Sequence, residues 1–502
     1  MKGAMKQIVV LICFLPLTAF ADCTTQQVNY TASSNTVQAV PVTTLTNIPV
    51  SFPATSNLVV CTTPPPPPTN SSWAIDVGGA GGDTMYSVAT FSNGNIAVAG
   101  SVGGSIYVAV YEPTGEYLNS VTFPNGVASS VAVDQRTGNI AVTGYFTGAS
   151  TTIGNKTYLN AGAVNTKDAI VICLSPNLVV LWSRQISGHS TIFADDTSNG
   201  VAIDPNNGDV VVVGAVAGYT DFGGGLVFMT SSSIDGFVAR YKSDGTYVSA
   251  RHANCISGDY ANSVAIDASG NVFVAGWSAG AISGWKDGNT SLGSALPFVG
   301  SAGNAYLVKF SASGAYLSGQ AFGSPTGATV LNGVAVNSNG EAVAAGGFLG
   351  TLNIPGLNPI ASPARGGAFW VKVSATGTPL LAKAYPPSGN SLAGVDSRFN
   401  SVAFDAAGNI LLTGIFTPTC DFGGGLLTSL GSVDMAVVKV NGAGTTLFSQ
   451  REGGAAWDGG FGIAAGNSGN IIACGASNGG SFNGTNIITQ GGQDGILQTI
   501  AQ

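Results

Sequence analysis

One short signature returns seven times along this chain, and it constrains the fold more tightly than any other feature. It reads YSVATFSNGNIAVAG at Tyr86–Gly100, SSVAVDQRTGNIAVTG at Ser129–Gly144 and NGVAIDPNNGDVVVVG at Asn199–Gly214. It returns as NSVAIDASGNVFVAG at Asn262–Gly276, NGVAVNSNGEAVAAG at Asn332–Gly346, NSVAFDAAGNILLTG at Asn400–Gly414 and FGIAAGNSGNIIACG at Phe461–Gly475. Each copy is an apolar run, a turn of Asp, Asn and Gly, and a second apolar run. Those turn residues tolerate the positive φ that tight hairpins need. Neither run alternates cleanly with polar residues, which is the pattern of strands buried on both faces.

A second hairpin follows each copy. It reads DGFVARYKSDGTYVSAR at Asp235–Arg251, NAYLVKFSASGAYLSGQ at Asn304–Gln320, AFWVKVSATGTPLLAK at Ala368–Lys383 and DMAVVKVNGAGTTLFSQ at Asp434–Gln450. Equivalents begin at Ile106 and Ala169. Every repeat is therefore a four-stranded meander. Repeats of this kind predict an all-β, seven-bladed β-propeller over 71–502. The last copy stops at Asp494–Gln502 without its outer strand, and SSWAIDVGG at Ser71–Gly79 reads as the missing one. The N-terminal strand would complete the last blade, close the ring and remove its free edges.

The run DFGGGLLTSLGSVDMAVVKV at Asp421–Val440, followed by LFSQREGG at Leu447–Gly454, resembles the seven-bladed β-propeller repeat of bacterial secreted and cell-surface proteins. Only SVGGS at Ser101–Ser105 joins the two hairpins of the first copy, a departure from the pattern. The resemblance implies a fold and a location. It implies no reaction.

The first residues predict the compartment. Lys2 and Lys6 precede an apolar run at Ile8–Phe20, and Ala19-Phe20-Ala21 fits a cleavage site, so 1–21 reads as a signal peptide. The run is short for a membrane span. Export to the cell surface, the medium or the periplasm permits disulfides, and Cys23 with Cys61 is the expected pair. They bracket a strand-rich segment at 22–63, ahead of a stiff Pro-rich linker at 64–70. Cys173 and Cys474 fall in strand patterns and read as buried thiols, whereas Cys255 and Cys420 read as loop residues. Asp, Glu, Lys and Arg make up only 8% of the chain, and the net charge is −8. So few cations cannot neutralise a nucleic acid backbone.

Two copies of an Asp-Phe-Gly-Gly-Gly-Leu run, within Thr220–Leu226 and Cys420–Leu426, look at first like phosphate loops. No helical period follows either one, so neither offers the helix N-terminus that holds an anion. They read as markers that end a second strand, with the phenylalanine packed between blades.

The acids fall at repeat positions. Asp83, Asp196, Asp259, Asp396 and Asp458 precede the inner strands, and Asp134, Asp204, Asp267 and Asp405 sit at hairpin tips. Asp168, Asp235, Asp434 and Asp494 open the second hairpins. Acids used once per blade serve turns and caps. The competing reading gathers the first five at the channel mouth, where carboxylates could hold Ca²⁺ or a cationic group. Asp204–Asp209 (DPNNGD) loosely resembles a calcium loop but lacks the terminal Glu. Arg240, Lys309, Lys372 and Lys439 share one strand position and read as partners of the tip acids.

The long connections emerge on one face, so binding is expected there, with Trp285, Trp457 and Tyr219 as aromatic contacts for a sugar or a protein. Catalytic signals are few. His189 and His252 have no metal-ligand spacing, Glu112, Glu116, Glu341 and Glu452 fall in turns or loops, and no GxSxG elbow occurs. The expected role is a non-enzymatic binding or adhesion module for a protein or carbohydrate. The alternative is a secreted hydrolase or lyase with carboxylates at the central channel.

Overall fold

The computed structural model describes residues 25–26, 58–59 and 72–502, apart from 162–165, 190–194, 226, 256, 289, 301, 362–365, 389–396 and 491. The chain divides into two units at Pro68/Thr69. In the first, Thr25–Gln26 pairs antiparallel with Leu58–Val59. The expected signal peptide, Cys23, Cys61 and the Pro-rich linker lie outside the described residues.

The second unit is all-β. Its building block is the predicted meander, formed by four antiparallel strands in chain order. The innermost strands of the successive meanders, numbered one to seven, are Thr84–Thr90, Gly126–Val133, Thr197–Ile203, Asp259–Ile266, Thr329–Val336, Arg398–Phe404 and Asp458–Ala465. In meander seven the fourth strand is Trp73–Val77, paired with Asp494–Ile500. Five meanders are separate sheets. Two and three are joined, a departure from the expected separate blades. The long outer strand Val180–His189 reaches past its own sheet, and its Ser187, Gly188 and His189 pair with Asp221, Thr220 and Tyr219.

The meanders stack through side chains. Innermost strands of consecutive meanders touch, and that of meander seven touches that of meander one. An apolar cluster fills each junction. Val77, Met85, Val88, Ile472, Cys474 and Leu497 form the one shared by the last meander and the first. The second strands, such as Ile410–Phe416, are buried throughout, as their unbroken apolar runs predict. The innermost strands are not. Their burial alternates, because one side looks into the space where these strands converge. Ala89, Ala132, Ala202, Ala265, Ala335, Ala403 and Ala464 occupy that side at one register, each only partly buried. Close-packed strands leave room there for little more than a methyl group.

Each innermost strand carries a bulge at the same register, just after its second or third residue. The extra residue is Tyr86, Ser129, Asn199, Asn262, Asn332, Asn400 or Phe461. The asparagines bind one meander to the next. Their Nδ2 groups donate to the carbonyls of Ala261, Leu331, Phe399 and Gly460 in the following innermost strand, at 3.1, 2.9, 2.9 and 2.8 Å. Bulges re-aim side chains, and here they aim an amide at the neighbouring sheet.

The short-turn side is held by ions. Lys309 pairs with Asp267, Lys372 with Glu341 and Lys439 with Asp405, at 3.2, 3.5 and 3.2 Å. Arg240 pairs with both Asp204 and Asp209. The cations also reach forward: Arg240, Lys309 and Lys372 donate to the carbonyls of Ala312, Ala375 and Gly442 in the next meander. Three of the four cations at this strand position therefore do two jobs, tying a turn and joining neighbours.

Both Asp-Phe-Gly-Gly-Gly runs are turns, but only the first ends a second strand, Val210–Asp221; the second joins Thr419–Asp421 to Leu426–Thr428, a separate short hairpin beyond the second strand Ile410–Phe416. The Oδ1 of Asp221 accepts the Gly223 N–H at 2.7 Å, and Asp421 accepts those of Gly423 and Gly425 at 2.7 and 3.1 Å. Gly423 and Gly425 stand at φ 90° and 113°, values that side-chain-bearing residues avoid. Phe422 is buried between meanders five and six, with Tyr385 and Phe399 at 5.4 and 5.7 Å.

The strand Trp73–Val77 is far in sequence from the sheet it completes, so its removal tests the assembly. Deleting 71–78 bares the outer edge of Asp494–Ile500 and removes the buried Ala74 and Val77. The expected loss is on the order of 3–6 kcal/mol, read as a lower melting temperature for the whole propeller. A truncated chain that melts with the parent contradicts this role.

Candidate functional site

Asp83, Asp196, Asp259 and Asp458 stand at the heads of innermost strands, and all four are buried. Asp396 lies outside the described residues. The main chain of three of these aspartates ties the strand to the preceding meander. The N–H groups of Asp83, Asp196 and Asp458 donate to the carbonyls of Gln493, Lys167 and Val433 at 2.7, 2.7 and 2.9 Å. Their carboxylates turn onto backbone. Gly79 and Gly103 donate to Asp83 at 2.6 and 2.8 Å, and Ala217 donates to Asp196 at 2.9 Å. Gly236 donates to Asp259 and Gly454 to Asp458, both at 2.7 Å. Such charge-assisted bonds satisfy N–H groups where a chain enters a sheet. A Cβ on Gly78 would lie 2.2 Å from Asp83 Oδ2, so glycine lets the loop close over the carboxylate.

The open ring of carboxylates, the competing reading, gives way for these four to the buried caps expected of acids used once per blade. The residues opening the third strands behave alike: Asp434, Asp494 and Asn304 accept the N–H of Leu430, Gln490 and Gly300, each four positions earlier. Burial, reinforced by the like charge of Asp235, pushes Asp259 well above the usual carboxylate range. Burial also raises Asp458, with Asp434 adding to it. Among the described residues no group of three or more His, Cys, Asp or Glu side chains is set to hold a metal ion. The loop that loosely resembles a calcium site, Asp204–Asp209, holds the Arg240 guanidinium instead. His252 is buried, its Nδ1 3.8 Å from Asp235.

The residues beside these caps differ from meander to meander. Trp457 immediately precedes its cap, and Phe461 and Tyr86 fill the bulge positions that hold an asparagine staple in four other meanders. These rings are contiguous: Trp457 to Phe461 is 6.0 Å between centroids and Phe461 to Tyr86 is 5.2 Å, inclined at 32° and 46°. All three are half-buried. They form a platform on the innermost strands at the junction of meanders seven and one. Nearby, Lys167 Nζ lies 4.9 Å above the Tyr145 ring and 3.6 Å from Asp195. In meander four, Tyr260 and Trp277 are cross-strand partners with rings 6.0 Å apart.

Of the expected aromatic contacts, Trp457 joins this platform and Tyr219 is 50% exposed at the end of a second strand. Trp285 differs. It is fully buried, packed edge-on against Tyr306 and Phe310 at 6.0 and 5.2 Å. Its strand, Ile282–Asp287, pairs with the outer strand of the preceding meander and turns the indole inward. Tyr86 and Phe461 were not singled out, because a lone ring inside an apolar strand reads as core. Cys255 and Cys420 lie in strands rather than loops, and with Cys173 and Cys474 they are buried. Burial pushes Cys173 and Cys420 up to about 12.

Glu452 also departs from its expected loop. It ends an outer strand and is buried, accepting the Asn483 N–H at 2.7 Å and the Gln450 amide. It thereby holds the turn between Gly480–Phe482 and Thr485–Ile487. Burial raises its carboxyl to about 7.

No family model and no curated protein sequence matches the chain. Solved structures do. A Dos1 propeller is 9% identical over 84% of this chain and 93% of its own, with a TM-score of 0.40. A gluconolactonase from Xanthomonas campestris is 10% identical over 79% of this chain and 90% of its own, with a TM-score of 0.31. Drosophila Plexin A, in complex with Semaphorin 1b, is 9% identical over 85% of this chain and 86% of its own, with a TM-score of 0.35. Similarity at this level carries no argument about function.

The titration of Glu452 has a readable consequence. Its folded value of about 7 lies above the ordinary 4.5, so its stabilising contribution is full below 4.5 and is lost as pH rises through 7. Ionising it in the fold costs about 3 kcal/mol. Glu452→Gln is expected to melt above the parent near pH 8, with the gap closing near pH 4. A gap independent of pH contradicts the assignment.

Proposed function

We propose that this chain is an exported, seven-bladed β-propeller whose ring is closed by Trp73–Val77, and that it binds carbohydrate through its long-connection face. The carrying observation is the platform of Trp457, Phe461 and Tyr86. In four other meanders the bulge residue staples one sheet to the next. At Tyr86 and Phe461 that structural use is given up, and aromatic surface is left half-exposed in its place. Rings of this kind present a large, rigid contact area with little conformational entropy to lose. Faces of pyranose rings, with their outward C–H groups, suit such a surface.

Meander-to-meander contacts support the closed ring. An apolar cluster joins the first and last units just as others join their neighbours. Export rests on the N-terminal sequence pattern alone. The hydrolase or lyase reading has one observation in its favour, the raised carboxyl of Asp458 next to Trp457. Asp458 is buried, however, and its oxygens are engaged by the Gly454 N–H and the Ser477 hydroxyl. Binding is therefore the better supported role.

A glycan array with the purified chain, followed by affinity electrophoresis on the best ligands, tests the proposal. Trp457→Ala and Phe461→Ala are each expected to weaken binding on the order of tenfold or more, with melting temperatures near that of the parent. Ligands that bind both variants as they bind the parent contradict the placement.

A further inference from the structure

Resting on that carbohydrate reading, we infer that the ligand is an uncharged polysaccharide held along several sugar units, running from the Trp457–Phe461–Tyr86 platform past Tyr145 to the Tyr260–Trp277 pair. Three observations carry this. The first is continuity. The innermost strands of meanders seven, one, two, three and four touch in turn, so their rims adjoin. Tyr145 and Trp277 hold one register on the second strands of meanders two and four, each directly after the glycine that pairs beside the bulge, Gly144 and Gly276. Aromatic residues thus recur along the rim from meander seven through one and two to four, with Asp195 of meander three between them.

The second observation is position. Trp457 and Asp195 both occupy the place just before a capping aspartate, Asp458 and Asp196. Tyr260 directly follows the cap Asp259, and Tyr86 and Phe461 lie three residues beyond theirs, Asp83 and Asp458. The caps fix the backbone, so the variable neighbours on successive sheets are presented from one rim. All of Tyr86, Tyr145, Tyr260, Trp277, Trp457 and Phe461 are half-buried. Each keeps part of its surface available and has its remainder locked by packing.

The third is charge. The ions along this path are Lys167 and Asp195, and they pair with each other at 3.6 Å. The carboxylates of Asp83 and Asp458 are buried against N–H groups. Among the described residues of this path no net charge is offered to an acidic or basic polymer, while aromatic surface is plentiful. A free cation in an aromatic cage fits less well, because the platform rings touch one another and leave no gap between their faces.

Calorimetry with the full chain tests the inference. The probes are hydroxyethyl cellulose, laminarin and soluble starch, together with a matched series of neutral oligosaccharides from disaccharide to hexasaccharide. Alginate and a polyproline peptide serve as competing classes. Affinity is expected to rise on the order of tenfold from disaccharide to hexasaccharide. Phe461→Ala should weaken both lengths. Trp277→Ala should weaken only the longer one, with Trp277→Phe restoring much of the loss, and melting curves show that each variant is folded. Equal affinity at all lengths, or a Trp277→Ala chain that binds the hexasaccharide like the parent, overturns the extended path and leaves the platform reading standing. Tighter binding of alginate overturns the uncharged class. Binding of the polyproline peptide alone, or of none of the probes, overturns the carbohydrate reading together with this one.

Discussion

The buried aspartate at the head of an innermost strand is the interaction on which the rest of the structure depends. A chain entering a packed sheet brings backbone N–H groups out of water, and each unpaired one costs about 1–3 kcal/mol. Asp83 accepts two of them, from Gly79 and Gly103, while its own N–H binds Gln493 of meander seven. One residue thus joins the incoming loop, its own sheet and the sheet before it. Asp196 and Asp458 repeat the arrangement, with Lys167 and Val433 as the main-chain partners. The bulge asparagines then join neighbours at the centre, and Arg240, Lys309 and Lys372 join them on the short-turn side. A chain with only 8% charged residues spends many of its acids in this way.

That division of labour bears on function. Acids that hold backbone N–H groups are not free to hold a ligand, and a loop already filled by Arg240 has no room for another cation. What is left for recognition is the set of positions beside the caps, which the scaffold holds still but does not need. Aromatic residues collect there in meanders one, four and seven, and meander two carries Tyr145 on its second strand. Loops elsewhere fold back onto the sheets, as the Trp285 strand and the Asp-Phe-Gly-Gly-Gly turns do. Recognition through rigid inner strands needs less ordering on binding than recognition through long loops.

Much of this was legible in the sequence, and the limits have physical causes. The meander, its missing outer strand, the partnership of Arg240, Lys309, Lys372 and Lys439 with tip acids, and the turn role of Gly423–Gly425 all follow from repeat position and turn chemistry. The capping role of the aspartates follows from their use once per blade, but not the N–H groups each one holds, because sequence places a carboxylate at a strand end without saying which way it turns. Trp285 looked like a surface ring because its segment lies in a long connection; hydrogen bonding to a neighbouring outer strand buries it. Tyr86 and Phe461 were hidden inside apolar runs. Their signal was present in the alignment of the copies with one another, where asparagine gives way to an aromatic residue at one register. Only the bulge explains why that register matters. The joining of meanders two and three depends on how far Val180–His189 extends, a length that no local pattern sets.

The central claim is that the scaffold acids hold the ring while the aromatic residues beside them meet the ligand. Hydrogen–deuterium exchange of the purified chain, with and without a bound neutral polysaccharide, tests it most directly. The account predicts that added protection is confined to the inner segments around Tyr86, Tyr145, Tyr260 and Trp457–Phe461, with the outer strands and the short turns unchanged. Protection centred on outer strands such as Tyr316–Phe322, or on the turns around Asp267 and Asp405, would contradict it.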